Sequence, residues 1–203
     1  MPAPIQNTLL PLPTNLGGLS LQIGSVASVP LLYAGPEQVD AQIPWELAGQ
    51  SEATITATSN GRTSPPQAVR LATYAPGIIA INGQGTGQGA ILDSNYRLLD
   101  WANPAIRDVT VALIYCTGLG PVTHRPPTGA PSPASPLAET TTQPVVSFGG
   151  MQAQVLFSGL APGYVGLYQV NVVVPNAQLN GSVLPVVLSI GGAQSNVVTI
   201  AAR

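Results

Sequence analysis

One histidine, one cysteine and a short acidic segment are the residues of this 203-residue chain whose types could do chemistry. His124 stands in THRPPTG, so any Ser-His-Asp or Cys-His arrangement must run through a Pro-rich loop. A general base needs rigid support within reach of the proton it takes, and His124 is read instead as a solvated loop residue. Cys116 ends the apolar run VALIYC and has no activating neighbour, which is the setting of a small buried hydrophobe. A single His and a single Cys assemble no zinc site of ordinary spacing. Asp93, Asn95 and Asp100 in LDSNYRLLD offer alternating oxygens of the kind Ca²⁺ collects. The segment lacks the Gly and distal Glu of an EF-hand loop, so an Asx-type turn is the expected use of these residues. No two of the eight acidic residues are linked by a motif that would mark a glycosidase pair. GQGTGQG (83–89) has no following Lys and opens no helix, so it is read as a flexible crossing and not as a phosphate cradle. The chain has no Lys, which excludes Schiff-base and Lys-derived isopeptide chemistry. The expectation is a non-enzyme with no catalytic residue and no cofactor.

Binding chemistry rests on aromatics. Trp45 and Trp101 flank turns and are the candidates for a ligand platform, such as one for carbohydrate, with burial between domains the favoured use of both. Tyr33 and Phe157 are assigned to core packing, because they hold equivalent places in a repeat.

That repeat organises the chain. Residues 31–44 read LLYAGPEQVDAQIP, and VLFSG (155–159) with YQVNVVVP (168–175) repeats the pattern around the insert LAPGYV. Each copy runs from an apolar pair through an aromatic to a small residue and Gly, then to Gln-Val-Asp/Asn and a closing Pro. A strand ending near Gly precedes each, LSLQIG at 19–24 and VVSFGG at 145–150. Two copies of one β-rich unit point to tandem small sandwiches. Strands are expected near 19–24, 29–34, 38–43, 52–58, 67–73, 109–116, 144–148, 153–157, 167–174, 183–190 and 195–201. Gly (22) and Pro (21) punctuate them, and no helix longer than a turn or two within EQVDAQIPWELAG is expected. The units divide at 1–78 and 79–203, joined closely, the second carrying a Pro-rich loop at 121–144. Gln38, Gln169, Asp40 and Asn171 are expected to satisfy backbone groups at one corner of each sandwich.

The copies differ in one respect. The second has an opening strand, 109–116, ahead of its Pro-rich loop, whereas only the Pro-rich stretch of residues 1–18 leads the first. The first sandwich is therefore expected to lack its opening strand and to leave an edge unpaired. Residues 1–12, with PAP and PLP, are poor ladder material for filling it. The missing strand is expected upstream of residue 1, with a strand supplied by a partner as the alternative.

Only 7% of residues are charged, against about 25% in ordinary domains, and the net charge is −2. This leaves no electrostatic footprint for nucleic acid. No apolar run approaches the length of a membrane span, and MPAPIQNTLLPLP has neither the basic nor the apolar region of a signal peptide.

The series LPTNLGGLSLQIG, PLLYAGPEQVDAQIPWEL, YAPGI, GQGAIL, LIYCTGLGPVT, FSGLAPGYVGLYQVNVVVP and SNVVTIA resembles the uncharacterised C-terminal domain of Solibacter-type acidobacterial secreted proteins. The half-units in turn resemble immunoglobulin-like IPT/TIG domains. The resemblance covers nearly the whole chain and implies two tandem immunoglobulin-like β-sandwiches, secreted or at the cell surface. It implies no activity and no catalytic residues. The chain departs from the family at Cys116, where a small residue such as Ala is usual, and in the absent opening strand. The expected function is that of an extracellular structural or attachment module, or a surface-assembly subunit, acting through edge-strand and surface contacts. Protein partners or self-association by strand addition at the first sandwich follow from it, and a carbohydrate- or other ligand-binding module is the alternative.

Overall fold

The computed structural model describes residues 4–26, 28–176 and 182–203. The first three residues of the Pro-rich start lie outside them. The protein is nearly all-β, 43% strand and 2% helical, and its strands form several antiparallel sheets. Among the described residues the one helical element is the single 3₁₀ turn Trp45–Leu47, which follows Pro44 and buries Leu47. All the longer expected strands form, most within two residues of their expected ends.

Two compact units divide the chain. The first comprises residues 1–73 with 125–134 and 162–166, and the second comprises 74–124, 135–161 and 167–203. The division thus falls a few residues before the expected 78/79, and the Pro-rich loop is shared out instead of staying with the second unit. Hydrogen bonds explain the sharing. Gly129 accepts from Leu12 N (2.8 Å) and donates to Gln42 Oε1 (2.6 Å), while Thr128 Oγ1 accepts from Trp45 N and donates to Glu46. Ser132 ties in residues 162–166 by accepting from Gly163 N and donating to Tyr164 O.

Both units are built on one strand plan. In the first, Glu52–Ser59 pairs with Leu19–Ile23, Gln67–Arg70 and the short Arg62–Thr63. In the second, Val183–Ile190 pairs with Val145–Phe148, Val198–Ala201 and the short Ala193–Gln194. Registers agree as well: Ile23 faces Ile55 as Phe148 faces Val186. Alternation along Val183–Ile190 sends Leu184, Val186, Leu188 and Ile190 inward, each effectively removed from water. Burying such a side chain stabilises the fold by roughly 1.5–3 kcal/mol. Ile23, Val29, Leu47 and Ala53 centre the core of the first unit, with Ala41, Ile55 and Val69 packed around them.

The remaining sheet of each unit contains the repeated hairpin. Leu31–Ala34 pairs with Val39–Ala41, and Gln154–Leu160 pairs with Tyr168–Val173. Tyr33 faces Asp40 as Phe157 faces Asn171, and both hairpins carry an irregularity one residue before the aromatic, between Leu31 and Tyr33 and between Val155 and Phe157. A bulge at the same place in both copies marks the sequence repeat as a structural repeat. Each Gln of the signature donates to the residue two further on, Gln38 to Asp40 (2.7 Å) and Gln169 to Asn171 (2.8 Å). These side chains therefore bond each other, where backbone partners were expected.

Candidate functional site

The two hairpins differ in what lies beside them. In the second unit Tyr168–Val173 is an interior strand, paired on its far side with Val111–Thr117, which in turn pairs with Gly77–Ile78 and Ile91–Leu92. In the first unit the sheet order is Ile5–Gln6, Leu31–Ala34, Val39–Ala41, and among the described residues it ends there. Ile5 and Gln6 pair with Ala34 and Tyr33 on the outer side of the hairpin. That is the side which Glu139 occupies against Gly159 in the second unit. Ile5 and Gln6 therefore fold back on the hairpin, but on the side away from the Val39–Ala41 edge.

Backbone alternation shows what this edge offers. Gln38 O accepts from Gly35 N (2.8 Å) and Gln42 N donates to Pro30 O (3.0 Å), so the even-numbered residues face the Leu31–Ala34 side. The polar groups of Val39, Ala41 and Ile43 then point outward. In the second unit the equivalent Val174 N donates to Thr110 O (3.0 Å), at the foot of the Val111–Thr117 strand. Side chains record the same difference. Val170 and Val174 are 0% exposed, whereas Val39 and Ile43 are 36% and 53% exposed. Glu37 and Asp40 beside them are exposed, and neither belongs to an ion pair among the described residues. The site is thus a short open ladder with two uncovered apolar side chains and two uncompensated carboxylates. Such an edge leaves backbone donors and acceptors facing solvent.

The residues singled out for other chemistry are placed as follows. The Asp93 carboxylate accepts from Asn95 N and Arg97 N, from both Nε and a terminal nitrogen of Arg97, and from Asn103 Nδ2, all within 3.1 Å. The backbone N–H of Arg97 leads, with its guanidinium, Asn103 and Asn95 adding to it, in holding the carboxyl down at about 2 against the upward pull of burial. Asp100 Oδ1 accepts from Ala102 N and Asn103 N. Asp93 and Asp100 thus serve turns of the Asx kind, Asn95 takes part through its backbone N–H, and no group of three His, Cys, Asp or Glu residues suited to a metal is present among the described residues. His124 Nδ1 lies 3.1 Å from Leu137 O, in a loop where His124 itself has positive φ. Cys116 is fully buried and burial pushes its thiol up to about 12, far from thiolate chemistry at neutral pH. GQGTGQG is pinned by hydrogen bonds where a flexible crossing was expected. Ile81 N donates to Gln88 O, and Gly85 O accepts from Asn196 Nδ2. Gly83, Gly85 and Gly87 all take positive φ, which is the local reason for glycine at alternate positions.

The tryptophans part company. Trp45 is half-buried with the Arg125 guanidinium 5.9 Å from its ring centroid, and its buried indole N–H has no hydrogen-bond partner among the described residues. Trp101, for which burial was favoured, is 68% exposed in the turn that Asp100 caps.

No family model matches this chain, and no curated protein matches it. The geometry defines a class, an antiparallel all-β protein whose first unit ends on a strand with no ladder partner on its outer side among the described residues. Among the described residues no helix is long and apolar enough to cross a membrane.

Proposed function

We propose that this chain is a non-enzymatic structural or attachment module, built as tandem immunoglobulin-like units and acting through edge-strand and surface contacts. The observation that carries the reading is the open Val39–Ile43 edge, set against the paired Val170–Val174 edge of its own repeat. The resemblance to the C-terminal domain of Solibacter-type secreted proteins supports a secreted or cell-surface setting. A surface poor in charge supports a role in assembly over electrostatic capture.

Fusing a second copy of residues 109–117 ahead of Ile5 through a Gly/Ser linker tests the reading. Occupation of the edge will slow hydrogen exchange at Val39, Ala41 and Ile43 and raise the unfolding midpoint. Exchange left unchanged at all three amides would show that the edge accepts no strand, and the reading would fall.

The exposure of Trp101 favours one alternative, a ligand-binding module with carbohydrate as the first class to try. Glycan binding that disappears in Trp101→Ala would select it.

A further inference from the structure

Resting on that reading, we infer that the first-unit edge takes a strand from a different protein: an extended segment with alternating apolar residues and a Lys or Arg opposite Asp40. The internal repeat supplies the register. In the second unit Leu113 lies opposite Asn171, Ile114 opposite Val170 and Ala112 opposite Val172. Asn171 corresponds to Asp40, Val170 to Val39 and Val172 to Ala41. An antiparallel guest in the same register therefore places Ile114-like and Ala112-like residues beside Val39 and Ala41. Its Leu113-like residue falls opposite Asp40.

Charge decides between a second copy and a foreign strand. Where the second unit has neutral Tyr168 and Asn171, the open edge has Glu37 and Asp40. Two such edges paired about their own two-fold would bring four carboxylates along one short ladder, and like charges across a strand pair are destabilising. A cationic guest side chain opposite Asp40 turns the same feature into an attraction. Apart from Glu37, which the Cys116-like guest residue faces at the end of the ladder, the other cross-strand demands are apolar or backbone, so a basic position opposite Asp40 in a β-branched, Pro-free segment is the core of the recognition code.

The probe is a labelled peptide with the sequence of residues 109–117 carrying Cys116→Ala, compared with the same peptide carrying Leu113→Arg. Fluorescence anisotropy against the whole chain should show saturable binding of both, the Arg peptide roughly two- to fivefold tighter at low salt. That advantage should vanish in Asp40→Asn and reverse in Asp40→Arg, two changes at one exposed position that leave the fold intact. Ala41→Pro removes one outward N–H and should abolish binding of both peptides, with folding checked by its unfolding midpoint. Equal affinity of the two peptides, with Ala41→Pro still blocking, overturns the basic partner while leaving the edge as the acceptor. Concentration-dependent dimerisation lost in Ala41→Pro overturns it in favour of a second copy. Binding of neither peptide, or binding indifferent to Ala41→Pro, overturns the edge reading itself.

Discussion

The phenyl ring of Phe157 lies across the bare α-carbon of Gly159, so that a Cβ placed there would stand 2.8 Å from Cζ. Tyr33 and Gly35 repeat the arrangement in the first unit, with 2.6 Å to the phenol oxygen and 2.9 Å to the ring. The aromatic-small-Gly signature is thus a packing device, in which glycine makes room for a ring that shields its strand.

The two glycines should nonetheless respond differently to substitution. A Cβ at Gly159 would also run into the backbone oxygen of Ala138, which cannot swing aside, whereas at Gly35 the nearest atoms belong only to the Tyr33 side chain. Gly159→Ala is expected to destabilise by about 1–3 kcal/mol and Gly35→Ala by less than about 1 kcal/mol in denaturant titrations. Equal losses would refute the distinction.

Asn196 joins three backbone groups. Its Oδ1 accepts from Ile78 N (2.7 Å), and its Nδ2 donates to Ile78 O (3.0 Å) and Gly85 O (2.7 Å). Asn196→Ala leaves the buried Ile78 without these partners and should lower stability by about 1–3 kcal/mol. Hydrogen exchange at Ile78 should accelerate in the same variant, and an unchanged rate would count against the clamp.

Asp93 predicts the acid limb of the stability curve. Its folded pKa of about 2 lies below the ordinary 3.8, so the charged carboxylate stabilises the fold fully above about pH 4. That contribution declines as pH falls below 3.8 and is gone once pH passes below about 2. Asp93→Asn should be less stable than the parent at pH 7, and the gap should close between pH 4 and pH 2. A gap independent of pH would show that packing, and not charge, sets the role of this residue.

Cys116 should be inert in the folded protein. With the thiol buried and its pKa raised to about 12, a water-soluble disulfide reagent at pH 8 should label it only as fast as the chain opens. Denaturant should raise the labelling rate to that of a free thiol. Immediate labelling of native protein would contradict the packing of the Val111–Thr117 strand.

The repeat, the all-β class and the longer strands were legible in the sequence because period-2 alternation and Gly/Pro punctuation are local signals. The difference between the two hairpin edges was legible too, since two copies of one pattern can be compared position by position. Other features depend on residues far apart in sequence. The short strands Gly77–Ile78 and Ile91–Leu92 exist because Val111–Thr117 offers them a ladder, which two-residue segments cannot announce. Gln42 stands where the repeat has Val173, and only folding reveals that its carbonyl receives Gly129 from a loop more than eighty positions away. Trp101 looked like a residue to bury, yet its turn leaves the indole in solvent. Sequence pattern alone determined which longer segments become strands and which face of each is apolar, because both follow from neighbours along the chain. Only the tertiary structure decided which edges are closed, because a hydrogen-bonding edge is satisfied or left open by whichever distant segment folds beside it.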